Sequence, residues 1–119
     1  MKIAIMQPYF LPYLGYWQLV KCVDKMIIYD NIKYTKKGWI NRNRLLFSGR
    51  SSYVTIPIKK GSDFLEIRSR EISERWSFEK IKILNKINAN YNKSPNFDIT
   101  YNLVEDIFSY ESDNLYDFI

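Results

Sequence analysis

The chain opens on the apolar run Ile3-Ala4-Ile5-Met6 and breaks at Gln7-Pro8. Consecutive apolar side chains predict a short buried strand over Lys2 to Met6, and proline, which has no N–H to give to a ladder, ends it near Gln7. From Tyr13 to Val23 the residues Leu14, Trp17, Leu19, Val20 and Val23 fall largely at helical spacing, which predicts a buried helix closed by Asp24 and Lys25. Met26 to Tyr29 is apolar again and predicts a second buried strand ending at Asp30. Strand, helix and strand at this spacing pair in parallel through a crossover. That brings Gln7 and Asp30 to one carboxyl edge, where open α/β sheets bind ligands.

Leu45 to Phe47, Ser52 to Ile58 and Leu65 to Ile72 read as further strands, separated by turns at Ser48-Gly49-Arg50 and Lys60-Gly61-Ser62. They extend the opening pair into a mixed sheet with antiparallel members. Ser77 to Asn90 sets Phe78, Ile81, Ile83, Leu84 and Ile87 in a helical pattern with Ser77 as N-cap. Ser94-Pro95-Asn96 breaks that helix, and Tyr101 to Tyr110 predicts another. A last amphipathic segment, opened by Ser112-Asp113, reaches Ile119 without a stop signal, the pattern of the N-terminal part of a longer protein. The expected architecture is a single α/β domain over residues 1–119: an opening βαβ unit with a mixed sheet, followed by a helical C-terminal segment.

Composition narrows the function. With 46% apolar and 26% charged residues, the 119-residue chain lies in the range of ordinary globular domains. The apolar opening is interrupted by Gln7, Pro8, Pro12, Gly15 and Gln18, which argues against a membrane span or a signal peptide. One cysteine, Cys22, expected inside the first helix, cannot form an intramolecular disulfide, so a cytoplasmic setting is expected. A net charge of +5 suits anionic partners. The joint abundance of Lys, Ile, Asn and Tyr, which an AT-rich genome imposes, accounts for that charge equally well. Histidine is absent, which removes the commonest general base, the Ser–His and Cys–His pairs and the usual zinc ligand. Chemistry falls to carboxylates, Tyr, Lys, Arg and amides; no metal site is expected and the sequence names no cofactor.

Two constellations remain. In Gln7-Pro8-Tyr9-Phe10-Leu11-Pro12-Tyr13-Leu14-Gly15 the prolines fix the loop and Gly15 allows close approach to the start of a helix, whose N–H groups suit a phosphate; Gln7 offers an amide. The other reading is that the aromatics are core and the prolines only steer the chain. In Asp30 to Arg44, DNIKYTKKGWINRNR, the guanidinium of Arg42 can grip phosphate, Asn43 supplies donors, and Tyr34 or Trp39 can stack on a base or sugar. The competing reading is a solvated basic loop. Asp30, at a strand end, is the one obvious candidate for proton transfer; a metal ligand and a cap for the next turn are the other readings. Lys59-Lys60 and Arg68-Ser69-Arg70 read as solvent-facing charge.

QPYFLPYLGYWQLV after the opening strand, then DKMIIYDNIKY, GWINRNRLL and YVTIPI, resembles the WbqC-like protein family of bacterial surface-polysaccharide gene clusters. The resemblance implies a role in making O-antigen or a similar glycan, by transfer of an aminoacyl or acyl group to a nucleotide-linked amino sugar. It places signature residues at Gln7, Pro8, Tyr9, Pro12, Gly15, Asp24, Asp30, Tyr34, Trp39, Arg42 and Asn43. A looser similarity links Tyr13-Leu14-Gly15-Tyr16 to the HxGH stretch of nucleotidyltransferases, whose imidazoles tyrosine cannot replace. The expected partner is therefore a nucleotide sugar or another phosphorylated small molecule, not nucleic acid. A basic nucleic-acid-binding domain or a scaffold without catalysis is the alternative.

Overall fold

The computed structural model describes residues 1–119. Strand β1, Ile3–Met6, leads through the proline loop to helix α1, Leu14–Cys22, and then to strand β2, Lys25–Ile28. The strands pair in parallel from Ile3 opposite Lys25 to Met6 opposite Ile28, and the Tyr29 N–H donates to the Met6 carbonyl at 2.9 Å just past their ends. The βαβ unit and its shared carboxyl edge are as expected. At the opposite edge Asp24 accepts the Lys2 N–H at 2.7 Å and returns its own N–H to the Lys2 carbonyl at 2.9 Å, locking the register.

Strands β3, Arg42–Phe47, and β4, Arg50–Thr55, form an antiparallel hairpin. Its Ser48-Gly49 turn has φ of 49° and 75°, the paired left-handed residues that match strand twist in a tight hairpin. The chain is mixed α/β, with parallel and antiparallel pairings held in two separate two-stranded sheets. Helices α2, Trp76–Tyr91, α3, Phe97–Ser109, and α4, Leu115–Phe118, complete it.

Several local expectations need correction. Leu65 to Ile72 is not a strand: Ile67–Ser69 forms a 3-10 turn, and only the single bridges of Glu66 to Lys33, Ile72 to Ile58 and Glu71 to Asn114 remain. Ser77 is not an N-cap. The backbone is already helical at Arg75, and the buried Trp76 starts the helix. Asn96, left-handed with φ 60°, starts α3 at Phe97 rather than Tyr101. The opening helix and second strand are not buried: α1 buries only Tyr16 while Leu14 and Trp17 are 72% and 56% exposed, and β2 has no buried residue. Two strands and a nine-residue helix are too small to enclose their own apolar positions. Cys22 is exposed for the same reason.

The core lies instead between the hairpin, the 3-10 turn and the C-terminal helices. Phe10, carried in by the proline loop, packs against Trp76 and Phe108 at ring separations of 6.2 and 5.9 Å, and Trp76 packs on Phe118 at 5.5 Å. No helix is long and apolar enough to cross a membrane. Phe108 is 1% exposed at the centre of this cluster. Phe108→Ala is expected to lower unfolding free energy by about 3–5 kcal/mol in urea denaturation.

Candidate functional site

The two sequence constellations are bound to each other. The Phe10 N–H donates to the carbonyls of Ile40 at 3.0 Å and Trp39 at 3.3 Å, and Asn43 Nδ2 donates to the carbonyls of Leu11 at 2.7 Å and Phe10 at 3.2 Å. This clasp holds Leu11 at φ 45°, a left-handed conformation that costs a branched residue about 1–2 kcal/mol. Two further bonds secure the loop. Tyr16 Oη donates to the Gln7 carbonyl and Trp17 Nε1 to the Pro12 carbonyl, both at 3.0 Å. Burial raises the Tyr16 pKa above its ordinary value, with Tyr9 adding to the shift, so the hydroxyl stays a donor. At Gly15 a Cβ would lie 2.5 Å from the Tyr13 ring, so the glycine makes room for that aromatic side chain.

The basic segment turns on Arg42. Its Nε donates to the Gly38 carbonyl at 3.0 Å and an Nη to that of Lys37, closing the Thr35 to Gly38 turn, where Lys37 has φ 61°. Above the hairpin the Arg42 guanidinium lies 4.4 Å from the Tyr53 ring centre, Tyr53 stacks on Trp39 at 6.3 Å, and Arg44 lies 5.3 Å from Trp39. Cations and aromatic faces thus alternate across the sheet surface, a favourable electrostatic arrangement.

Loop and hairpin enclose a cleft of about 660 Å³ at the carboxyl end of β1, lined by Met6, Tyr9, Tyr13, Trp39, Asn43 and Arg44 among others. That is within the size range of small-molecule sites. The other side of the loop borders an apolar groove of about 510 Å³ through Pro8, Tyr9 and Pro12. Tyr34 and Arg42 face a third cavity of about 600 Å³, rich in lysine. Of the candidates, Tyr9, Trp39 and Asn43 therefore meet on the cleft, Pro8 and Pro12 flank it, and Tyr34 and Arg42 lie in a different cavity. Gln7, Gly15 and Asp30 line none of the three, although the Asp30 carbonyl accepts the Arg68 N–H at 3.0 Å. No three His, Cys, Asp or Glu side chains converge as a metal site would require.

Two buried polar residues stand out: Asn41, which the basic segment offered as a donor beside Asn43, and Arg70. Asn41 accepts from Tyr34 Oη at 2.7 Å and donates to the Ile56 carbonyl at 2.9 Å. Arg70 is 2% exposed, not solvent-facing. Along a strand residues 68 and 70 would share a face. The 3-10 turn over Ile67–Ser69 breaks that parity, leaving Arg68 outside and sending Arg70 inward, and nothing in the local sequence distinguishes the two. Arg44 and Tyr13 lie on the cleft beside residues that had been singled out.

The chain is thus mixed α/β, with an aromatic, singly cationic cleft at the carboxyl edge of its parallel strands, the edge at which open α/β sheets place their ligands. The chain belongs to the WbqC-like protein family, whose model matches residues 7–119. It is 43% identical over 68 residues to an uncharacterized protein of Mycobacterium tuberculosis, Rv1507c; the match covers 56% of this chain and 29% of that relative. No solved structure matches it.

Asn43→Ala removes both side-chain bonds of the clasp, leaving those of the Phe10 N–H, and is expected to cost about 1–3 kcal/mol, with proteolytic cleavage appearing first between Tyr9 and Tyr13. Tyr34→Phe strips the buried Asn41 Oδ1 of its donor and should cost a similar amount, about 1–3 kcal/mol. Burial raises the Tyr34 pKa above its ordinary 10.0, against the lowering influence of Arg70 and Arg42. The unfolded chain releases this proton first, so stability should fall as pH rises above about 10. Urea midpoints across that range should fall less steeply in Tyr34→Phe.

Proposed function

We propose that the protein is a cytoplasmic transferase of bacterial surface-polysaccharide biosynthesis, adding an aminoacyl or acyl group to a nucleotide-linked amino sugar. Membership of the WbqC-like family supports this reading. The observation that carries it is the joint construction of one cleft by the Gln7 to Gly15 loop and the Trp39 to Arg44 segment. In this reading the base or sugar rests on Trp39, Tyr9 and Tyr13, and Arg44, the one charged side chain lining the cleft, meets a phosphate. Asn43 acts by holding the loop, since its amide is engaged by Phe10, Leu11 and the Arg44 N–H. Pro8 and Pro12 shape the same loop, and Gly15 admits the Tyr13 ring that faces the ligand.

Gln7 and the α1 start at Gly15 fill supporting roles in orienting the substrate, while Tyr34 and Arg42 line the separate cationic cavity and back the Asn41 and Thr35 to Gly38 framework behind the cleft. Asp30 remains the candidate for proton transfer at the same sheet edge, outside the lining of the cleft. The cleft is thus better furnished for holding a substrate than for transforming it. An exposed, unpaired Cys22 is compatible with a reducing compartment.

Titrating the full-length protein with a uridine-diphosphate-linked amino sugar should give saturable calorimetric binding. Trp39→Ala should weaken it by about 1–3 kcal/mol, the usual worth of one base–aromatic stack. Absence of nucleotide-sugar binding, or binding that Arg44→Ala and Trp39→Ala leave unchanged, would remove the proposal.

A further inference from the structure

The third cavity has its own chemistry. Six cationic side chains line its approximately 600 Å³, Lys36, Lys37, Arg42, Lys59, Lys60 and Arg70, and no carboxylate does. Lys36 is paired with Asp63 and Lys59 with Glu71, at 3.3 Å for the latter, all of them exposed. Lys37, Lys60, Arg42 and Arg70 have no salt-bridge partner.

Arg70 is the least expected of these. Its Nη2 donates to the Ser62 carbonyl at 2.8 Å, while its Nε is buried with no acceptor. A buried guanidinium without an ion-pair contact is costly, by several kcal/mol before compensation, and the exposed carboxylate of Asp63, paired with Lys36, offsets this only from a distance. Besides meeting the Ser62 carbonyl, the Arg70 side chain rests on the face of the Tyr34 ring, 4.9 Å from the guanidinium carbon. That ring is fixed by the Tyr34–Asn41–Ile56 hydrogen-bond chain, so the floor of the cavity is rigid. The rim is fitted to the same group. A Cβ at Gly61 would lie 2.9 Å from Leu65 Cδ1 and 3.2 Å from Arg70 Nη1, so the glycine leaves room for both side chains.

We propose that this cavity is a binding site for a diphosphate-bearing small molecule. The ligand places its anionic oxygens against Arg70 and the unpaired Lys37, Lys60 and Arg42. A rigid guanidinium fork ringed by exposed ammonium groups is the donor set that recognises phosphate oxygens. The recessed position of Arg70 favours a compact anion over a nucleic-acid backbone. The site does not depend on what the aromatic cleft holds.

Inorganic pyrophosphate is the probe, titrated into the full-length protein by calorimetry at fixed ionic strength. Saturable binding at one site is expected. Arg70→Gln should weaken it about 10- to 100-fold, the range for a hydrogen bond to a charged group. Lys37→Gln and Lys60→Gln, both on exposed side chains, should each weaken it measurably and decide the matter if Arg70→Gln fails to fold. Lys93→Gln, which removes the same charge from the turn after α2, should leave the affinity unchanged.

Pyrophosphate binding with no nucleotide-sugar binding would uphold this site and reject only the transferase reading. No pyrophosphate binding at millimolar concentration would overturn it. So would lysine variants that bind like wild type, an equal loss in Lys93→Gln, or tighter and steeply salt-dependent binding of a single-stranded oligonucleotide.

Discussion

The Phe10 N–H reaches back to the carbonyls of Trp39 and Ile40 while Asn43 grips the carbonyls of Phe10 and Leu11, and most of the architecture depends on this clasp. It joins segments distant in the chain, with 33 positions between Asn43 and Phe10. It delivers the Phe10 ring into the cluster around Trp76 and Phe108, and it holds Leu11 in a conformation the residue would not otherwise keep. The parallel pair β1–β2 buries little of its own surface, so this hydrogen-bonded seam and the buried Phe10 anchor the loop end of the βαβ unit to the hairpin and helices. The same seam forms one wall of the cleft. Fold and candidate site therefore share a single constraint.

How much of this the sequence discloses varies with the range of the interaction. The βαβ unit was legible because an apolar run, a proline stop, a helical period and a second apolar run are local signals, and the parallel pairing followed from their spacing. The Ser48-Gly49 turn was legible for the same reason. Burial of α1 and β2 was not, because periodicity reports which face of an element is apolar and cannot report how much structure is present to cover it. Leu65 to Ile72 failed on parity. Ile67 and Ile72, the buried pair, have the odd spacing that a continuous strand forbids on one face, and the 3-10 turn between them reversed Arg70.

For the site, the two candidate segments were legible, and the division of labour within them was not. Tyr9, Trp39 and Asn43 converge, whereas Arg42 and Tyr34 look into the cationic cavity, because Arg42 bends back onto the carbonyls of the Thr35 to Gly38 turn. Asn43 reads as a substrate ligand in sequence, and in three dimensions its amide is engaged by backbone. The overall positive charge was ambiguous as a bulk property. It gains meaning where six cations line one cavity without an acid among them, with a buried arginine at its floor.

The central claim is that the Gln7 to Gly15 loop and the Trp39 to Arg44 segment act as one ligand-holding unit. Hydrogen–deuterium exchange of the full-length protein, with and without a uridine-diphosphate-linked amino sugar, tests it most directly. The account predicts that added protection concentrates jointly on residues 9–13 and 39–44. Protection confined to one of these segments, or lying wholly outside both while the ligand is bound, would contradict it.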